Sequence, residues 1–281
     1  MSPARIVNAM TIDVEDYFHV QAFADVIDRR DWDGLPCRVE ANTDRILAQF
    51  DKAGVSATMF TLGWVAERYP QIVRRIVAAG HELASHGYAH ARVDGQTREA
   101  FAQDVTRARG LLEDLGGVAV RGYRAPTFSI SARSPWAYDV LAETGHRYSS
   151  SVYPVRHDLY GAPDAPRLPY RVAQGALWEL PMTTVTLGGR NIPCSGGGFF
   201  RLLPYRLFRL GLQRFNASEA KPGMFYTHPW EIDPEQPRVA APWRSRFRHY
   251  LNLSRTAPRL DQLLGDFAWD RVDRVYAGQL A

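Results

Sequence analysis

Two histidines four positions apart, in Ser85-His86-Gly87-Tyr88-Ala89-His90, are the strongest chemical signal in the chain. On one helical turn, residues i and i+4 face the same way, so both imidazoles could reach one cation. Two neutral imidazoles suit zinc, cobalt or nickel, and a carboxylate would complete a three-ligand catalytic set with a position left for water. Carboxylates come from Thr11-Ile12-Asp13-Val14-Glu15-Asp16. In an extended chain Asp13 and Glu15 project to one face, and like charges that close call for a cation or a proton between them. Without a cation, the same run reads as an acidic turn after a strand, with Asp16 capping the next segment.

Two more residues fit hydrolytic chemistry. Arg124, in Gly122-Tyr123-Arg124-Ala125-Pro126-Thr127, carries a guanidinium that can hold a carboxylate ionised and oriented. His228, in Phe225-Tyr226-Thr227-His228-Pro229-Trp230-Glu231, could donate a proton near neutral pH. Alone, Arg124 reads equally as a surface salt bridge and His228 as a packed histidine. The four elements together carry far more weight than any one.

The elements that must position these residues alternate. Ile6 to Asp13 reads as a buried strand that delivers acids at its C-terminal end, Asn42 to Ala53 as a helix stopped by Gly54, and Ser56 to Leu62 as a strand. Pro70 to Ala79 is a helix closed by Gly80, and His81 to Ser85 a strand leading into the histidines. Arg98 to Leu115 is a long amphipathic helix before the strand Val118 to Tyr123, and Pro135 to Glu143 a helix before strands at Tyr148 to Tyr153 and Leu177 to Leu180. A helix over Pro204 to Phe215 precedes the strand Met224 to His228. This order predicts an α/β fold with a parallel sheet, open or closed into a barrel, and chemistry at the C-terminal strand ends. Tyr153 to Tyr170, rich in Pro, Asp and Tyr, reads as a lid-like loop.

At 281 residues and 46% hydrophobic, the chain fits one large α/β domain, with residues from about 235 onward as a C-terminal extension. Apolar runs such as Ile6 to Ile12 and Leu115 to Val120 fall short of the ~18 residues a membrane span needs. Met1 to Asn8 lacks the apolar core of a leader, so the expected location is the cytoplasm, including the inner face of the membrane. Cys37 and Cys194 show no metal-binding spacing, and no structural disulfide is expected. The +4 charge arises from scattered arginines, densest at Arg74-Arg75 and Arg244 to Arg248. It suits mild attraction to anionic glycans or headgroups and allows peripheral membrane contact; no nucleic-acid motif is present.

The order of acidic motif, Ser85 to His90, Arg124-Ala125-Pro126 and Tyr226-Thr227-His228 resembles the polysaccharide deacetylase family, carbohydrate esterase family 4, over most of the chain. Thr11 to Val20, Ser195-Gly196-Gly197-Gly198-Phe199-Phe200-Arg201 and His228 to Pro234 look like the deacetylases of exosortase-linked exopolysaccharide loci. The resemblance implies a distorted (β/α) barrel with fewer than eight units. It also implies metal-dependent removal of N-acetyl groups from an amino-sugar polysaccharide or its lipid-linked precursor in exopolysaccharide biosynthesis, with zinc the expected metal and cobalt or nickel alternatives. Asp13 would be the general base, oriented by Arg124; Glu15, His86 and His90 the metal ligands; and His228 the general acid. The family commonly sets two aspartates side by side; here Val14 follows Asp13, so the carboxylate ligand shifts to Glu15, with Asp16 the alternative. Where the family has Asp-Ser-Ser, this chain has Ser149-Ser150-Ser151.

A backbone N–H within Tyr123 to Thr127 would hold the oxyanion, and Trp178, Trp230, Tyr153 and Tyr160 could stack on sugar rings. The glycines of Ser195 to Gly198 read as a cleft-shaping nest or a plain loop. Rival readings are an amidase acting on a small molecule and a catalytically silent glycan-binding module.

Overall fold

In the computed structural model residues 6–280 are described; Met1 to Arg5, part of the N-terminus read for a leader, lie outside them. The first half alternates strand and helix: β1 (Val7–Val14), α1 (Val39–Ala53), β2 (Thr58–Thr61), α2 (Gly63–Arg68), α3 (Pro70–Ala78), β3 (Glu82–Ser85), α4 (Arg98–Gly116), β4 (Gly122–Tyr123), α5 (Trp136–Glu143) and β5 (Tyr148–Ser149). A more irregular half comes next, with β6 (Tyr170–Val172), β7 (Leu177–Glu179), β8 (Thr184–Leu187), β9 (Arg190–Pro193), α6 (Gly197–Leu202), α7 (Tyr205–Glu219) and β10 (Met224–Thr227). The chain ends in α8 (Trp243–Tyr250), α9 (Leu253–Asp266), β11 (Ala268–Asp270), α10 (Val272–Val275) and α11 (Ala277–Leu280).

The main sheet runs β10-β1-β2-β3-β4-β5-β7-β6, parallel throughout except for the last pair. It is rolled. In a flat sheet β10 and β5, five positions apart, would be roughly 24 Å from one another, yet Ser150 Oγ is 3.1 Å from Met224 Sδ. The expected barrel is therefore present in curvature, but no backbone ladder closes it among the described residues. Beyond β7, Thr183 takes the place of a ladder: its hydroxyl donates to the Met224 carbonyl at 3.0 Å and accepts from the Met224 N–H at 2.6 Å.

Strand alternation sorts β1 into two faces. Met10, Ile12 and Val14 pack with Ile46, Phe50 and Ile72 of the helical layer, which is why a valine separates the two acids. Ala9 joins the interior cluster of Phe60, Ala84, Tyr148 and Met224, and Thr11 and Asp13 share that side.

Several expected elements are shorter or different, each for a visible reason. The strands read at Val118 to Tyr123 and Tyr148 to Tyr153 shrink to two residues each. Beyond Ser149 the chain leaves the ladder because the Ser151 and Val152 N–H groups donate to the Glu179 carboxylate, at 2.8 and 3.0 Å. The Ser195 to Gly198 run is the entry to helix α6. Residues past 235 form helices and also strand β11, which pairs with β1 through Val7↔Ala268. Residues 154–169 contain neither helix nor strand. Cys37 and Cys194 are free thiols, and among the described residues no helix is long and apolar enough to cross a membrane.

Candidate active site

The chemistry-bearing residues meet where the parallel strands end. Asp13 is the penultimate residue of β1, with Glu15 just past its end; His86 follows β3, Arg124 follows β4 and His228 follows β10. Asp13, Glu15, His86, His90 and His228 line one cavity of ≈ 250 Å³.

Arg124 is fully buried. Its Nη1 donates to Asp13 Oδ1 at 2.5 Å and to the Thr11 hydroxyl at 2.8 Å, while Nε and Nη2 donate to the carbonyl and hydroxyl of Ser150. Its guanidinium also lies 4.1 Å from the Phe60 ring centre. The guanidinium fixes one Asp13 oxygen, and the other is 3.9 Å from His228 Nε2. The serines at the Asp-Ser-Ser position thus anchor the arginine loop, with the Ser151 hydroxyl accepting from the Ala125 N–H at 2.9 Å. An acid is present nearby all the same: Glu179, paired with Ser149 in the sheet, is buried, and burial pushes its carboxyl up to about 6.

Glu15 and Asp16 part company. The Asp16 carboxylate accepts from the backbone N–H groups of Tyr17, Arg38 and Val39, so it caps the start of α1. Burial pushes it up to about 6 against the pull of those N–H groups. Glu15 faces the histidines instead, with Oε2 2.8 Å from His90 Nε2 and 3.9 Å from His86 Nε2. Burial would push the Glu15 carboxyl up, but the neighbouring histidines, led by His90 and then His228, outweigh it and hold it well below the usual carboxylate range.

The histidine pair does not sit on a helical turn. Both residues belong to a loop, where Gly87 takes φ +74° and His90 φ +50°. A side chain at 87 would be strained by that φ and would meet Asp104 Oδ2 at 2.8 Å. The loop is pinned from both sides. Asp104 of α4 accepts the Tyr88 N–H at 3.0 Å, and the Gly87 and Tyr88 carbonyls accept the N–H groups that open α2, each at 2.9 Å.

These groups fit a divalent cation. Glu15, His86 and His90 offer ligand atoms within 4.8 Å of one another, and all three residues are buried. Glu15 Oε2 is buried without a hydrogen bond of normal geometry. His86 Nδ1 lies 2.9 Å from the Arg124 carbonyl, which can only accept; Nδ1 therefore carries the proton and Nε2 presents a lone pair. Burial pushes the His86 imidazole down to about 4, which keeps it neutral.

His228 is held by a residue not singled out in the sequence reading. Its Nδ1 lies 2.6 Å from Glu231 Oε1, three positions on, and Arg201 Nε donates to Glu231 Oε2 at 2.5 Å. Burial works against protonation, but the Glu15 charge and then Glu231 raise the imidazole to about 9. Burial likewise disfavours the Glu231 anion, yet Arg201 and His228 bring it down to about 2. A side chain at Gly197 would run into the Glu231 carboxylate, which gives that glycine of the Ser195 to Gly198 run a packing reason. The i, i+3 spacing of His228 and Glu231 was the available signal. Arg201 closes the Ser195 to Arg201 motif, but nothing in the spacing ties it to Glu231, 30 residues on.

Of the four aromatics, Trp230 and Tyr160 line the cavity. Tyr153 is buried, with its hydroxyl on the Ser195 carbonyl, and Trp178 lies on β7 beside Arg171, away from the cavity. Within Tyr123 to Thr127, the N–H groups of Arg124 and Ala125 are engaged and Pro126 has none. Thr127 lines the cavity at φ +57°, an uncommon conformation for a β-branched residue.

Residues 31–149 match the polysaccharide deacetylase family, and residues 150–277 match a domain of unknown function, DUF3473. The chain is 30% identical over 140 residues to a peptidoglycan deacetylase of Helicobacter pylori, covering 50% of this chain and 43% of that protein. It is 31% identical over 112 residues to a chitooligosaccharide deacetylase of Sinorhizobium fredii, covering 40% and 49%. It thus spans less than half the length of these curated relatives. In fold it is similar to the crystal structure of a candidate polysaccharide deacetylase from Mycobacterium smegmatis, with TM-score 0.60 and 23% identity over 100% of this chain and 94% of that one.

Proposed function

Because the chain belongs to the polysaccharide deacetylase family, carbohydrate esterase family 4, we propose that it is a metal-dependent hydrolase that removes N-acetyl groups from an amino-sugar polysaccharide or its lipid-linked precursor. The observation that supports this reading is the convergence of Glu15, His86 and His90 beside the Asp13–Arg124 pair and His228 in one cavity. The proposed setting, exopolysaccharide biosynthesis, rests on the likeness of Thr11 to Val20, Ser195 to Arg201 and His228 to Pro234 to deacetylases of such loci.

Glu15, His86 and His90 would hold the metal, which supplies a Lewis acid for the acetyl carbonyl and the attacking water. Asp13, oriented by Arg124, takes the proton from that water. The N–H of Thr127, which lines the cavity, would hold the oxyanion of the tetrahedral intermediate. His228, positioned by Glu231, donates a proton to the amine nitrogen as the C–N bond breaks, so the products are acetate and a free amino sugar. Trp230 and Tyr160 shape the cavity wall, with the Trp230 ring stacked on His228 and His249 and the Tyr160 ring on His157. Acetate release from N-acetylglucosamine oligomers, beside a panel of small acetamides, tests the substrate class. Release confined to the small amides would turn the reading toward a small-molecule amidase.

The His228–Glu231 contact carries a pH prediction. A donor with a raised pKa stays protonated at neutral pH, and its contribution is lost as pH rises through that value. A cation beside Glu15 would offset part of the Glu15 attraction, so the limb lies below the value of about 9 in the metal-loaded protein. Glu231→Gln removes a charge that raises the His228 pKa, so the falling, basic limb of kcat against pH should move to lower pH. An unmoved limb would take His228 out of the donor role.

A further inference from the structure

Helix α8, Trp-Arg-Ser-Arg-Phe-Arg-His-Tyr, holds three arginines and no acid. Trp243 and Phe247, one turn apart on it, are 71% and 51% exposed. Arg244 and Arg246 are exposed between them, whereas Arg248 is tied to Asp158 of the 154–169 loop at 2.6 Å. Leu202, at the end of α6 and 51% exposed, shares a wall of the active-site cavity with Phe247, so this apolar surface reaches the cavity mouth. Arg201 joins the two elements, donating to the carbonyls of Arg248 and Leu251.

Exposed tryptophan, phenylalanine and leucine interleaved with arginine is the composition of a surface that lies at a membrane interface, with rings at headgroup level and cations on lipid phosphates. A second copy of the chain fits less well, because a self-complementary contact would bring two arginine-bearing faces together with no acid on α8 to offset them. A sugar chain could stack on Trp243 but has no use for Leu202 and Phe247 exposed beside arginines. We propose that the face formed by α8 with Leu202 is a docking surface for an anionic lipid bilayer, and that docking turns the cavity mouth toward the membrane. The surface is independent of the chemistry assigned to the cavity.

The test is partition of the full chain onto vesicles of phosphatidylcholine alone and of phosphatidylcholine with phosphatidylglycerol, by co-sedimentation. Binding should be stronger to the anionic vesicles and weaken with salt. Arg244→Gln and Arg246→Gln should each reduce it about fivefold, the factor for one cation at an anionic surface. Trp243→Ser with Phe247→Ser should reduce it on the order of tenfold or more. These side chains are exposed, so the variants should stay folded, and His86→Ala should bind vesicles like the parent even if the metal is lost. No preference for anionic vesicles, or binding that survives both sets of changes, overturns the proposal. So does a Trp243→Ser loss of affinity for chitooligosaccharides in a protein that binds no vesicle, which would assign the face to glycan.

Discussion

Asp13→Asn should lower the rate of acetate release by roughly 10²–10⁴-fold, the usual contribution of a positioned general base. The amide oxygen can still accept from Arg124 Nη1, which now bonds Asp13 at 2.5 Å, so the loop and the fold are expected to persist. What disappears is the second oxygen, the one facing His228, together with its basicity. Asp13 lies outside the cluster of Glu15, His86 and His90. Zinc affinity measured by competition with a chelating dye should therefore fall far less than in Glu15→Gln. Release that persists at the parental rate would move the base elsewhere, with Glu15 the next acid in the cavity.

The second large effect is on stability. Arg124→Met removes hydrogen bonds to Asp13, Thr11 and both oxygens of Ser150 from a fully buried position, and leaves the Asp13 carboxylate at the cavity wall without its hydrogen-bonded cation, the nearest remaining one being His228 at 3.9 Å. Breaking one side of a buried pair costs about 3–5 kcal/mol, a large share of the ~5–15 kcal/mol that holds a domain folded. Urea unfolding followed by circular dichroism should show the midpoint fall accordingly. Adding Asp13→Asn to Arg124→Met should recover part of the loss, since no unpaired charge then remains buried. A midpoint within about 1 kcal/mol of the parent for Arg124→Met would mean that Arg124 contributes orientation without stability.

Both predictions rest on residues that could be picked from the sequence, because each sits at the end of a parallel strand. The strand after an amphipathic helix is legible from hydrophobic period, and the acid, histidine or arginine just past it falls on the functional rim. The two-residue periodicity also placed Asp13 and Glu15 on one face, and the structure brings Glu15, not Asp16, to the histidines. The helical spacing of His86 and His90 was legible for the wrong reason: the pair converges through a loop turned by Gly87 and pinned by Asp104.

Less legible were groups that act through long-range contact. Arg201 reaches Glu231 across 30 residues, and Glu179 reaches Ser151 across 28. Neither lies at a spacing that a helix or strand makes meaningful. The pairing of β11 with β1 spans nearly the whole chain, and a three-residue strand carries too little periodicity to announce it. Trp178 was placed near the cleft by residue type alone, whereas its strand position sets it beside Arg171.

The central claim is that one divalent metal, held by Glu15, His86 and His90, is required for deacetylation. The most direct measurement is acetate release from N-acetylglucosamine oligomers by chelated protein, titrated with zinc and then cobalt, with bound metal counted in parallel. The expected result is no release without metal, recovery that saturates at one equivalent, and neither tight binding nor recovery in His86→Ala. Full release from the chelated, metal-free protein would contradict it, as would a protein that binds no metal.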